Sequence, residues 1–187
     1  MTPDSSPLRL YLEQMARMLK QARPTPPEGY TYSSIEAYVL AHGKDYQSAK
    51  FTKDELAYAR ALMKKGRWPI KQCFSNSQQI LLRESRESAP SGMRLRYVEG
   101  YVTTGIIPLL HGWLSLNDKV LDVTLRDHSS GKRNLGTFAP NYAYYGVEVS
   151  ALLIQERIRK TLHWGSLLDC YELNYPLLRE TKSNSAA

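Results

Sequence analysis

Residues 109–125, Leu109-Leu110-His111-Gly112-Trp113-Leu114-Ser115-Leu116-Asn117-Asp118-Lys119-Val120-Leu121-Asp122-Val123-Thr124-Leu125, set two apolar, branched and aromatic runs on either side of one polar pair. Such runs favour extended backbone, and the pair between them predicts a hairpin. If Asn117-Asp118 is the whole turn, Leu116 pairs with Lys119, Trp113 falls opposite Asp122, and His111 lies diagonally from Asp122 on the same face. A three-residue turn would slip the register by one and throw the two side chains onto opposite faces. Asp122 sits between Leu121 and Val123. A carboxylate there either faces water or has a partner, because an unpaired buried charge costs several kcal/mol.

Working outward, residues 94–104 read as a strand before the hairpin, and Tyr142 to Val149 as a fourth strand. The polar stretch 126–141 reads as a mobile loop, with Lys132 and Arg133 either meeting an acidic partner or, by default, solvated in it. Upstream, Cys73, Ser77, Ile80 and Leu81 fall at i, i+4, i+7 and i+8, which predicts a buried helix beginning at or just before the cysteine. The front third is helical. Ser6-Pro7 starts one helix, with Leu12, Met15, Ala16 and Leu19 on one face to about Arg23; a second spans about Ser34 to Ala41; a third follows the Thr52–Glu55 capping box and ends near Gly66. Ser150 caps a last helix to about His163. The expected architecture is α+β: helical residues 1–66 packed on a core of residues 67–180, with an unstructured tail over 181–187, in one domain.

Composition limits the function classes. The 187 residues carry a net charge of +7, and residues 1–71 hold 12 basic against 7 acidic side chains, so the basic excess is front-loaded. Such a balance permits weak attraction to acidic proteins, anionic membranes or nucleic acid, but no Lys/Arg block, zinc-finger spacing or Gly-aromatic RNA-binding signature accompanies it. Nucleic acid is therefore disfavoured as a partner. No apolar run approaches a membrane span and the first residues lack signal-peptide features, so a cytosolic protein with free thiols at Cys73 and Cys170 is expected. No His/Cys set has metal-ligand spacing, so neither metal nor cofactor is predicted.

A thiol is a good nucleophile only as thiolate, and a free one is only about 3% ionised at pH 7. A helix N-terminus and a histidine both favour the anion, which makes Cys73 a candidate nucleophile; a small buried hydrophobe is the competing reading. His111 is the candidate base, and Asp122 the candidate orienter.

Three blocks resemble the transglutaminase-like branch of the papain-like cysteine enzymes, to which the arylamine N-acetyltransferases are related. Gln72-Cys73-Phe74 is similar to the family's Gly-Gln-Cys-Trp block. Arg96-Tyr97-Val98-Glu99-Gly100-Tyr101 resembles its Arg-x-Val-x-Gly-Tyr strand, and His111-Gly112-Trp113 with Asp122-Val123-Thr124 resembles its His-Ala-Trp and Asp-Pro-Thr blocks. The likeness covers about residues 68–125 and departs at Lys71 for Gly, Phe74 for Trp, Gly112 for Ala and Val123 for Pro. It implies a papain-like core in which Cys73 forms a thioester with a protein, peptide or small acyl substrate, His111 moves the proton and Asp122 holds the tautomer. The Cys73 N–H is one natural oxyanion donor; Gln72 or Trp68, through backbone or indole N–H, is the second candidate.

Several residues keep two readings. Trp113 either shields the imidazole from water or packs the core. Asn76 is a polar pocket residue or an exposed helix position. Gly100 allows close backbone approach or marks a bend. The tyrosines from Tyr142 to Tyr145 line a cleft or pack a strand. His163 and Cys170 read as a helix-end histidine and a buried cysteine, and His128 as solvated. The competing function is a noncatalytic interaction module that binds an acidic protein or nucleic acid through Lys64, Lys65 and Arg67.

Overall fold

The computed structural model describes residues 6–85, 89–103, 107–126, 131, 133–135 and 142–179. Helices α1 (Pro7–Ala22), α2 (Ile35–His42), α3 (Lys53–Lys64) and α5 (Ala151–Thr161) begin behind Ser6, Ser34, Thr52 and Ser150, each of whose hydroxyls accepts a first-turn N–H. Thr52 and Glu55 complete the capping box reciprocally. Helix α4 (Cys73–Glu84) begins at the cysteine, behind a Gln72 whose side chain makes no cap. In α1 the buried positions are Leu8 and Leu12, whereas Leu19, expected on the packed face, is exposed.

Strands β1 (Lys44–Tyr46), β2 (Leu95–Thr103), β3 (Leu109–Leu116), β4 (Lys119–Arg126), β5 (Arg133–Leu135) and β6 (Ala143–Val149) form a six-stranded antiparallel sheet in the order β1-β6-β2-β3-β4-β5. The architecture is α+β. Two strands were not expected. β1 lies in the helical front third and pairs along β6, so the front third supplies a sheet edge as well as helices. β5 lies inside the stretch read as a loop and pairs with β4. The rest of that loop, His128 and Lys132 included, and the tail beyond Arg179 lie outside the described residues.

The turn between β3 and β4 is Asn117-Asp118, both left-handed at φ 50° and 63°, and Leu116 pairs with Lys119. Positive φ at both central residues matches the right-handed twist of a two-residue hairpin, and this fixes which side chains share a face.

The sheet curls. Gln47, just past β1, bridges in parallel to Lys119 at the start of β4, its carbonyl accepting the Val120 N–H at 3.1 Å. Lys44 reaches Asp118 at 3.1 Å across the same seam. The inner face encloses Tyr46, Val98, Val102, Trp113, Val120 and Tyr144. The outer face carries the larger core, in which Leu8 and Leu12 of α1, Ile80 and Leu81 of α4 and Ile154 of α5 pack against Tyr97, Leu114, Leu121 and Val147. Gly100 pairs with Gly146 at the floor of the curl. A Cβ on Gly100 would come within 2.2 Å of the Tyr145 carbonyl oxygen, so close backbone approach is the reason for that glycine.

Candidate functional site

The β3–β4 ladder runs from Leu116–Lys119 to Leu114–Leu121. Beyond it, Asp122 Oδ1 accepts the backbone N–H groups of Thr124 and Leu125, both at 2.9 Å. The first turns of α4 lie across this parting and are bonded to both strands. Asn76 Nδ2 donates to Thr124 Oγ1 at 2.9 Å and to the Pro69 carbonyl at 2.7 Å, and Ser77 Oγ donates to the Gly112 carbonyl at 3.2 Å. The segment leading to Cys73 is thereby pinned to the strands carrying His111 and Asp122.

His111 and Asp122 meet through Nε2 and Oδ2 at 2.7 Å, with the carboxylate fully buried and the imidazole 6% exposed. Tyr144 donates its hydroxyl to the same Oδ2 at 3.1 Å. Cys73, half-buried at the first position of α4, is among the groups that raise the His111 pKa. Burial works to lower the His111 pKa. The Asp122 charge and hydrogen bond, followed by those of Cys73, outweigh it and raise the value to about 10. Burial likewise works to raise Asp122, but the His111 charge and hydrogen bond and the two backbone donors hold it below its usual range. At neutral pH the pair is ionised, and because Asp122 engages Nε2, Nδ1 is the ring nitrogen it leaves free of that bond.

The other predicted residues divide. Trp113 is fully buried on the inner face and lies nearly parallel to the His111 ring, with centroids 6.3 Å apart. Among the described residues its indole Nε1 has no partner, so its contribution is apolar packing under the imidazole. Gln72 is exposed, and its carbonyl accepts the Asn76 N–H at 2.9 Å, opening the helix. One expectation is corrected, and of the two readings of Asn76 one is excluded. The Trp68 indole N–H donates to the Met63 carbonyl at 3.0 Å and is not free for a substrate oxygen. Asn76 is 1% exposed, because its amide is needed between Pro69 and Thr124; it positions the site and is not an exposed helix residue. Lys65 is ion-paired with Glu84 at 2.7 Å, while Lys64 and Arg67 are exposed. Cys170 is fully buried, and His163, exposed beyond α5, meets Glu172 at 3.0 Å.

The departures from the resembled blocks have local causes. Lys71 adopts φ 65°, a left-handed conformation that glycine takes without cost. At Gly112 a Cβ would come within 2.8 Å of Phe74 Cδ1 and 2.9 Å of the Tyr97 hydroxyl, so a larger residue there requires a different neighbour in α4.

Three contributors were missed. Tyr144 reaches Asp122 only because the sheet curls, and its sequence neighbourhood reads as a packed strand. Arg133, expected in a solvated loop, donates from Nη2 to the Trp68 carbonyl at 2.9 Å. Glu99, in the middle of β2, is a second fully buried carboxylate.

Among the described residues no His/Cys/Asp/Glu cluster is arranged to hold a metal, and no helix is long and apolar enough to cross a membrane. Comparison with known proteins finds no family model that matches the chain, and no significant match among curated proteins or solved structures.

Proposed function

We propose that the chain is a cysteine-dependent acyl-transfer enzyme with a papain-like, transglutaminase-like core, acting as a hydrolase, deamidase or transferase through a thioester on Cys73. The observation that carries this reading is the buried His111–Asp122 pair at 2.7 Å, with Cys73 at the start of a helix that Asn76 and Ser77 bond to the strands carrying that pair. The resemblance of the three sequence blocks, and the left-handed backbone at Lys71 where that family has glycine, support it.

In this mechanism the His111 imidazolium, held by Asp122, stabilises the Cys73 sulfur as thiolate. Sγ attacks the substrate carbonyl, and the developing oxyanion meets the Cys73 N–H at a helix terminus that no side chain caps. His111 gives its proton to the leaving group, and the thioester remains. Water or an amine then attacks the thioester carbon, with His111 now as base, and the thiolate is regenerated. Asp122 fixes the imidazole, and Tyr144 and the Thr124 and Leu125 N–H groups fix Asp122.

The test is intact-mass analysis after exposure to activated acyl donors. A single adduct mapping to Cys73, absent in Cys73→Ala, is expected. Preferential alkylation of Cys73 over Cys170 does not discriminate, since Cys170 is fully buried. The discriminating measurement is the iodoacetamide labelling rate of Cys73 at pH 7, expected to fall at least about tenfold in His111→Ala as thiolate is lost. An unchanged rate with no adduct would sink the proposal.

A further inference from the structure

The β4–β5 edge beside the site sets two arginines in direct opposition. Arg126, at the end of β4, is the cross-strand partner of Arg133, at the start of β5. Like charges placed opposite one another in a ladder repel and weaken the pairing. Among the described residues neither guanidinium meets a carboxylate. Arg126 Nη1 donates to the Gly131 carbonyl at 3.3 Å, Arg133 Nη2 donates to the Trp68 carbonyl at 2.9 Å, and Arg133 Nε is buried without a partner. The acid whose charge reaches Arg133 is Asp122, which His111, Tyr144 and two backbone N–H groups already occupy.

The pair is tied to the segments that carry the site. Arg133 is fastened to Trp68, on the segment leading to Cys73, and Arg126 ends the strand that carries Asp122. Tyr142, just before β6, donates to the Arg126 carbonyl at 3.2 Å, so the curl of the sheet brings a third element to the same edge. Planar guanidinium groups bind carboxylate and phosphate oxygens with two parallel hydrogen bonds, and an anion between two of them removes their mutual repulsion.

We infer that Arg126 and Arg133 form a subsite for an anionic oxygen group, a carboxylate or a phosphate, carried by the acyl substrate of Cys73. The inference rests on the acyl-transfer reading and narrows its substrate class: the reacting carbonyl and the acidic group belong to one molecule that spans from the sulfur to the β4–β5 edge.

Three nitrophenyl esters of equal chain length test it on the full chain, ending in a carboxylate, a phosphonate or a neutral methyl ester. With each, the Cys73 thiolate attacks the ester carbonyl, the Sγ–C bond forms, the ester C–O bond breaks, and nitrophenolate leaves with the electron pair. At low salt at least one anionic ester is expected to acylate Cys73 about tenfold or more faster than the methyl ester, a difference of about 1.4 kcal/mol, with the preference falling as salt rises. Whichever acid is preferred identifies the group. Arg126→Gln and Arg133→Gln are expected to erase the preference mainly through a higher KM for the charged ester. If Arg133→Gln does not fold, as judged by far-UV circular dichroism, Arg126→Gln at an exposed position decides the outcome. Equal rates for charged and neutral esters, or a preference that survives both substitutions, would overturn the subsite and leave acyl transfer standing. No adduct from any ester, while iodoacetamide still labels Cys73, would overturn both.

Discussion

Asp122 and Glu99 have much in common. Each carboxylate is fully buried, each takes two backbone N–H groups, and each accepts a tyrosine hydroxyl: Tyr144 for Asp122 at 3.1 Å, Tyr97 for Glu99 at 2.7 Å. They differ in the remaining partner. Asp122 meets an imidazole that also feels the Cys73 sulfur. Glu99 meets Ser166 at 2.8 Å and the N–H groups of Leu167 and Leu168 at 2.8 and 3.0 Å, so it ties the segment after α5 to the middle of the sheet. Gln78 of α4 joins that network through the Tyr97 hydroxyl at 3.0 Å and the Gly165 carbonyl at 2.7 Å. Charge balance follows the partner. His111 holds Asp122 ionised, whereas burial pushes Glu99 above its usual range despite its donors. A buried carboxylate is thus a candidate for chemistry when its neighbour can gain and lose a proton beside a nucleophile, and a fastener when every neighbour only donates.

The largest expected effect separates the two in activity. Asp122→Asn removes the anion that orients His111 and should slow Cys73 acylation by about a thousandfold or more. Glu99→Gln should change it by about threefold at most, under 1 kcal/mol of barrier. Single-turnover acylation followed by intact mass measures both, and equal losses would erase the distinction.

Stability should reverse the order of sensitivity to pH. The Asp122 contribution is present above its ordinary value of 3.8 and is lost on acidification, because its folded pKa is lowered. His111, raised from 6.5 to about 10, adds stability that is complete below 6.5 and lost as pH climbs through about 10. Urea unfolding should therefore show the wild-type advantage over Asp122→Asn to be greatest between pH 3.8 and 6.5 and smaller on both sides. Glu99, raised from 4.5, behaves oppositely in acid: the wild-type advantage over Glu99→Gln is present below 4.5 and shrinks as pH rises. Two curves of the same shape would show that the carboxylates are not electrostatically distinct.

The tyrosines give the smallest effect. Tyr144→Phe and Tyr97→Phe each remove one hydrogen bond to a buried carboxylate and should each cost about 0.5–1.5 kcal/mol of stability. Only Tyr144→Phe should also slow acylation and shift its pH profile; an identical slowing in Tyr97→Phe would place Glu99 in the chemistry.

What was legible in the sequence follows the range of the interactions. Ser6, Ser34, Thr52 and Ser150 announce helices because a cap acts within three residues. The Asn117-Asp118 turn gives the β3–β4 register, and the register puts His111 and Asp122 on one face. By contrast, the three residues of β1 carry no signal of their own and become a strand only by pairing with β6, about a hundred positions away. β5 is hidden for the same reason in a polar stretch. Asn76, read on its own, is an ordinary polar helix residue; its burial follows from where Pro69 and Thr124 come together around it.

The sequence by itself determined the helix starts, the hairpin and the shared face of an imidazole and a carboxylate, since local sterics and the twofold period of a strand suffice for these. Only the tertiary structure decided that α4 would cross the parting of β3 and β4, and that curling would bring Tyr144 to Asp122. It alone turned Glu99 into a fastener and set Arg126 against Arg133. Those outcomes depend on which distant backbone donors and side chains meet each buried charge, and that is settled by the closure of the whole sheet and by no short stretch of chain.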